Sequence, residues 1–179
     1  MSAAAPARDG GARVRRWLAI GLVAAAAFAW MRQGYSGLPE GTLAPSFTVT
    51  TADGLRFALD EQRGHSVVLA FWATWCPACR AEAHDLAAVE RSLAARGDSV
   101  VALSVDTLPL ARVAAEAAEL GMPSRVALAA SEVSTSFAVA LLPTTFVIAP
   151  SGAVAHVFAG GATSEQILAA VDAAERSAP

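Results

Sequence analysis

The chain contains no lysine: all thirteen of its basic residues are arginine. Schiff-base chemistry on a side-chain amine is therefore excluded. Cysteine is nearly as scarce, with two in 179 residues, both inside one four-residue stretch. A structural zinc site needs about four ligands, and the three histidines, His65, His84 and His156, show no paired spacing that would complete one. Positive charge is the third shortage, outside the N-terminus. The first 32 residues carry about +4, so a net charge of −3 leaves about −7 on the remainder. Phosphate backbones are bound by clustered cations, and an acidic body without a basic stripe argues against nucleic acid as a partner. The hydrophobic fraction of 55% overstates the core, because much of it is alanine, which favours helix and has little volume.

The basic residues that exist are concentrated before an apolar run. Trp17–Met31 carries no charge, Arg13, Arg15 and Arg16 precede it, and Arg32 follows. The run is slightly short for a spanning helix of about 20 residues, but arginine stems snorkel, and Trp17, Trp30 and Tyr35 sit where interfacial aromatics belong. The alternative is a cleaved signal peptide with Ala27-Phe28-Ala29 as an A-x-A-like site. Trp30 and Met31 directly after that site, and the lack of a polar stretch before it, favour the anchor. Either reading means export. By the positive-inside rule the arginines stay in the cytoplasm, so the body is expected in the periplasm, where two cysteines can remain paired. The expected organisation is a cytoplasmic basic tail over 1–16, an inner-membrane signal-anchor over 17–31, a glycine- and proline-rich linker over 32–41 and one folded domain over 42–179.

Within that domain the alternation of Phe47, Val49 and Thr51, the Asp53-Gly54 turn and the alternation of Leu55, Phe57 and Leu59 predict a β-hairpin. Val67–Ala73 is a continuous apolar run of strand length, the pattern of a strand buried on both faces, and Val100–Val105 is expected to be another buried strand. Helices are expected from Pro77 to about Ala95, over Pro109–Leu120, near Ser131–Phe137 and from Ser164 to about Arg176. The last opens on Thr163-x-x-Gln166, a capping box. Short strands are expected at Val126–Ala130, Thr144–Ile148 and Val154–Phe158. The order ββ-βαβα-(β)α-ββα predicts an α/β fold: a central mixed sheet with helices on both faces and an added N-terminal hairpin.

Cys76-Pro77-Ala78-Cys79 falls at the end of a buried strand and the start of a helix. The first turn of a helix has unpaired N–H groups and a partial positive charge, so Cys76 near the N-cap is the expected thiolate and nucleophile. Pro77 is at home at the first helical position, where its missing N–H is not needed. Cys79, one turn further in, is the expected resolving thiol. A haem attachment would need histidine where Arg80 stands, and a structural disulfide closing so small a loop constrains little. A redox dithiol is the reading the placement favours.

These residues carry a resemblance. "FWATWCPACRAE" (Phe71–Glu82), with Leu43–Gly64 upstream and "LLPTTFVI" (Leu141–Ile148) downstream, resembles the TlpA/ResA-like family of membrane-anchored proteins with a thioredoxin-like fold, over roughly Gly41 to Ala174. The resemblance implies an extracytoplasmic thiol-disulfide oxidoreductase without cofactor or metal. It would be a protein-disulfide reductase serving protein thiol or disulfide clients, cytochrome c maturation among them, and recycled by a membrane electron donor or acceptor. A monomer is expected. Pro143 matches the family's cis-proline, which leaves the backbone of Leu142 free to pair with an extended client segment. Glu82 matches a buried acid that relays the Cys79 proton. Trp75 matches an aromatic shield of the disulfide, and Trp72 a core residue. Two departures stand out. Ala70 occupies the place of the buried thioredoxin aspartate, and Pro-Ala replaces the usual dipeptide. Proline directly after the first cysteine also occurs in disulfide-forming proteins, so an oxidase or isomerase is the alternative. A copper-binding module using the two thiolates as soft ligands is the alternative of another class. It lacks a well-spaced third ligand. A thiol peroxidase ranks last, because Thr74 is only two residues before Cys76. His84 and His65 are expected at the surface and His156 on a hairpin face, none of them catalytic.

Overall fold

The structure is a computed structural model that describes residues 17, 18, 20–23 and 37–177. The expected basic tail lies outside the described residues, as do most of the expected anchor and the first part of the linker. Trp17, Leu18 and 20–23 are helical and exposed. Among the described residues no helix is long and apolar enough to cross a membrane.

The body begins with the predicted hairpin, β1 (Thr48–Thr50) against β2 (Arg56–Ala58). Its turn is closed by the Asp53 carboxylate, which accepts from the Thr51 hydroxyl and the Leu55 N–H. Gly54 takes the left-handed conformation the turn requires, at φ +83°. A 3-10 turn (Leu59–Gln62) leads to β3 (Val67–Trp72), every residue of which is buried. Then follow α1 (Pro77–Leu93), β4 (Ser99–Ser104), α2 (Leu110–Glu119), β5 (Val126–Leu128), α3 (Ser131–Ser136), β6 (Thr144–Ile148), β7 (Val154–Ala159) and α4 (Ser164–Arg176). The five-stranded sheet has the order β5-β4-β3-β6-β7. β4 runs parallel to β3 and to β5, whereas β6 pairs antiparallel with β3 and with β7. The expected α/β architecture, element order and hairpin are all present.

β3 is the centre of the sheet, and its alternation divides the interior. Val68, Ala70 and Trp72 face a core shared with Leu86 and Val89 of α1, Val113 of α2 and Ile167 and Val171 of α4. Val67, Leu69 and Phe71 face the other core, under the hairpin and α3. There Phe71, Phe137 and Phe146 form a triangle with ring centroids 5.2 to 5.7 Å apart, in the tilted and edge-on geometries aromatic rings prefer. Phe137, wholly buried at the end of α3, thus anchors the segment that runs on to Leu142.

Several boundaries differ by one or two residues from the sequence reading, β5 for instance ending at Leu128. α1 ends at Leu93, and a 3-10 turn (Ala94–Arg96) carries the chain to Gly97. β4 starts at Ser99, one residue early, because Ser99 pairs in register with Val67. The end of the glycine-rich stretch is docked rather than free. Leu38 packs against the second core, the Gly41 N–H donates to the Val154 carbonyl at 2.8 Å, and a Cβ on Gly37 would come within 2.8 Å of the Phe146 ring.

Candidate active site

β3 delivers the chain to the cysteine pair at the exposed end of the sheet. After Trp72 the backbone turns over Ala73–Cys76, closed by the Cys76 N–H donating to the Ala73 carbonyl at 3.1 Å. Cys76 is the N-cap of α1, in extended conformation, and its Sγ accepts from the Cys79 N–H at 3.2 Å. Pro77 is the first helical residue. Cys76 and Cys79 are joined as a disulfide, with Cα atoms 5.3 Å apart. Cys76 is 5% and Cys79 1% exposed.

Glu82 lies one turn beyond Cys79 on the buried face of α1. It is one of the few charged side chains in the interior, 5% exposed. Its Oε1 accepts from the Ala162 N–H at 2.9 Å, across 80 residues of sequence. Burial pushes its carboxyl above the usual range and Asp85 adds to the rise, while the Ala162 N–H opposes it. The Thr145 hydroxyl, fully buried, lies close enough to lower the carboxyl by the smallest of these effects, yet outside hydrogen-bond geometry. Asp85, one turn away from Glu82, accepts from the Ser164 N–H at 2.8 Å. Glu82 and Asp85 of α1 therefore hold the start of α4. Ala70 stands in β3 opposite Thr145, with no acid on that strand.

Leu142-Pro143 is a cis peptide bond. Pro143 is buried, and its carbonyl accepts from the Gly160 N–H at 2.8 Å. Because Thr144 pairs with Phe71, this dipeptide stands beside the end of β3, below the turn that carries Cys76. Trp75, Cys76, Pro77 and Leu142 meet in one cleft of about 550 Å³, completed by Val105 and Leu141 among others. Among the described residues no charged side chain lines it. Trp75 is 68% exposed and forms a wall of the cleft beside Cys76. Trp72 is a buried core residue, as expected.

The Arg80 guanidinium lies 3.6 Å from Glu116 and within 3.4 Å of the Thr74 carbonyl. His65 and His84 are exposed. His156 is half-buried, 2.6 Å from Glu40 with its ring against Phe158. Among the described residues no three His, Cys, Asp or Glu side chains gather as metal ligands. One group at the site went unremarked in the sequence: Asp106, whose carboxylate binds Thr74 directly ahead of Trp75 and Cys76. The available signal was register. Thr74 and Asp106 each stand two residues past the last β3–β4 pair, Trp72 with Ser104.

Comparison with known proteins agrees with this geometry. The Redoxin family model matches residues 39–174. The thiol-disulfide oxidoreductase ResA of Bacillus subtilis is 33% identical over 135 residues, 75% of each chain. The thioredoxin-like protein YneN of the same organism is 27% identical over 135 residues, 73% of this chain and 78% of its own. Among solved structures, a thiol:disulfide interchange protein of the thioredoxin family from Chlorobium tepidum superposes with a TM-score of 0.67 at 31% identity, covering 76% of this chain and 97% of that one. With a disulfide capping the first helix after the central strand of a thioredoxin-like sheet, the chain belongs to the Redoxin family and is a thiol-disulfide oxidoreductase.

Proposed function

We propose that this oxidoreductase acts as a reductase of disulfides in extracytoplasmic protein clients, with apocytochrome c or one of its maturation factors among them. The observation that carries the mechanism is Glu82, a buried acid one turn below the resolving cysteine, with its carboxyl raised by burial. In the dithiol form, the Cys76 thiolate at the helix start attacks one sulfur of the client disulfide. A Cys76–client bond forms, and the other client sulfur leaves and takes up a proton. Cys79 then gives its proton to Glu82 and attacks Cys76 Sγ. The Cys76–Cys79 disulfide forms, and the second client sulfur departs as a thiol. Two electrons have passed to the client, and a membrane electron donor restores the dithiol. Trp75, Pro77 and Leu142 supply the apolar wall against which the client segment lies, and the backbone around Leu142-Pro143 pairs with it.

The charge pattern of the N-terminus supports an inner-membrane anchor over 17–31 with the folded domain, from about residue 42, in the periplasm; a protein released there after signal cleavage keeps the same chemistry. Pro77 directly behind Cys76 is the observation favouring the opposite direction, a disulfide-forming oxidase. The dipeptide between the cysteines and its surroundings tune the reduction potential over a range of about 150 mV. The discriminating experiment is Cys79→Ala expressed in the host, with trapped mixed disulfides identified by mass spectrometry. A reductase of narrow range yields an apocytochrome or a single maturation factor bound to Cys76. Recovery of many unrelated folding proteins overturns this reading in favour of the oxidase.

A further inference from the structure

We propose that Asp106 positions the attacking cysteine, by fixing through Thr74 the turn that carries Trp75 and Cys76. The proposal rests on Cys76 being the attacking sulfur. β3 and β4 stay in parallel register to Trp72 and Ser104, and the Val105 N–H still donates to the Trp72 carbonyl at 3.0 Å. Beyond that rung the backbones part, one rising to the cysteines and the other leading to α2. Asp106 spans the gap with its side chain. The Thr74 N–H donates to its Oδ2 at 2.8 Å, and the Thr74 hydroxyl donates to its Oδ1 at 2.9 Å. The carboxylate is itself oriented: the Ser104 hydroxyl donates to Oδ2 at 2.7 Å and accepts from the Asp106 N–H at 3.1 Å.

Two features separate this from ordinary loop stabilisation. Asp106 forms no ion pair among the described residues, so its charge is held by these neutral donors alone. What matters is that two oxygens of one side chain meet the N–H and the hydroxyl of the same residue, Thr74. The two ends of the turn are held by other means: Ala73 is buried in the core, and the Cys76 carbonyl accepts from the Arg80 N–H at 3.2 Å while its sulfur is bonded to Cys79. At its middle the Arg80 side-chain contact to Thr74 is long at 3.4 Å and Trp75 is largely exposed, so Asp106 is the main tie there. Helix α1 holds the Cys76 end of the turn, and the Thr74 end that leads into Trp75 is tied to β4 through one carboxylate.

Asparagine can reproduce this arrangement. Its carbonyl oxygen takes the place of Oδ2, accepting from the Thr74 N–H and the Ser104 hydroxyl, and its amide donates to the Thr74 hydroxyl, which is free to accept. Alanine reproduces none of it. The test is reduction of insulin disulfides by the full chain, with folding of each variant verified by circular dichroism. Asp106→Ala is expected to lose about tenfold in kcat/KM, in kcat as well as KM because the sulfur itself is displaced, and Asp106→Asn to recover to within about threefold of the parent. A purely structural role leaves both constants unchanged in folded protein. Parent-like rates in Asp106→Ala, or equal losses in the alanine and asparagine variants, overturn the proposal. Should Asp106→Ala not fold, Thr74→Val decides: it removes the hydroxyl contact but keeps the backbone one, so a loss of about threefold is expected and a parent-like rate overturns the proposal. Cys76→Ser is the control for the underlying reading. If it still reduces insulin, the assignment of Cys76 falls, and with it any positioning role, whatever the Asp106 variants do.

Discussion

Replacing Glu82 by glutamine should make the protein more stable and less active, and the two effects have one physical origin. The Glu82 carboxyl is raised by burial above its ordinary value of 4.5. A raised acid binds its proton more tightly in the folded state than in the unfolded one. Folded stability is then greatest below the unfolded value near 4.5 and declines as pH rises through the folded value. Glutamine has the same size and keeps an oxygen for the Ala162 N–H, 2.9 Å away in the parent. The Thr145 hydroxyl, unpaired among the described residues and close to the carboxyl, comes within reach of the amide after a small side-chain shift. What disappears is the cost of holding a charge at a site only 5% exposed. That is on the order of 1–3 kcal/mol at neutral pH, the desolvation penalty of a buried polar group, and close to nothing at pH 4 where the parent is protonated. Urea unfolding of oxidised parent and Glu82→Gln at pH 4, 6 and 8, followed by tryptophan fluorescence, measures the difference. The curves should coincide at pH 4 and diverge upward, with the variant more stable. Turnover with insulin should meanwhile fall about 10²-fold or more, the usual contribution of a positioned general base. A variant less stable at pH 8, or one that turns over like the parent, would refute the reasoning. Misfolding cannot imitate the expected pair, since it lowers stability and activity together.

Other substitutions probe the cleft and the helix that Glu82 and Asp85 hold. Trp75→Ala should change stability by less than about 0.5 kcal/mol, because the side chain is 68% exposed. It should raise KM for insulin while leaving reduction of the disulfide by dithiothreitol unaltered, as a stopped-flow comparison would show. Thr163→Ala should lower stability by about 1 kcal/mol in urea, since the Thr163 hydroxyl accepts from the Gln166 N–H at 3.3 Å while the Gln166 side chain accepts from the Thr163 N–H at 3.0 Å. Its rate constants should stay near those of the parent at low denaturant; a larger kinetic loss would mean that the start of α4 controls the site more directly than its contacts with Glu82 and Asp85 suggest.

How far the site was legible depends on the sequence distance over which each feature is set. Pro77 at the first helical position, the Thr163–Gln166 capping box and the alternation of β1 and β2 are settled within a few residues, and each is found where its local pattern put it. The cysteine pair was legible for the same reason, because strand end and helix start are both local signals. Glu82 could be placed on the buried face of α1 by its spacing from Cys79, but its partner is Ala162, 80 residues on, and nothing near either residue announces the pairing. Trp75 was expected to cover the sulfurs; whether it does so depends on where Val105 and Leu141 stand across the cleft. The docking of 37–41 was likewise hidden, since glycine and proline mark a break in secondary structure and say nothing about packing afterwards. Asp106 is the instructive case. Its 32-residue separation from Thr74 equals that between Trp72 and Ser104, so the contact is a continuation of strand register by side chain. A paired acid and hydroxyl immediately past two parallel strand ends is therefore a readable signal once the two strands are known to be neighbours. What the sequence could not supply was that adjacency, because β3 and β4 are both buried along their whole length and an all-buried strand carries no mark of which neighbour it takes.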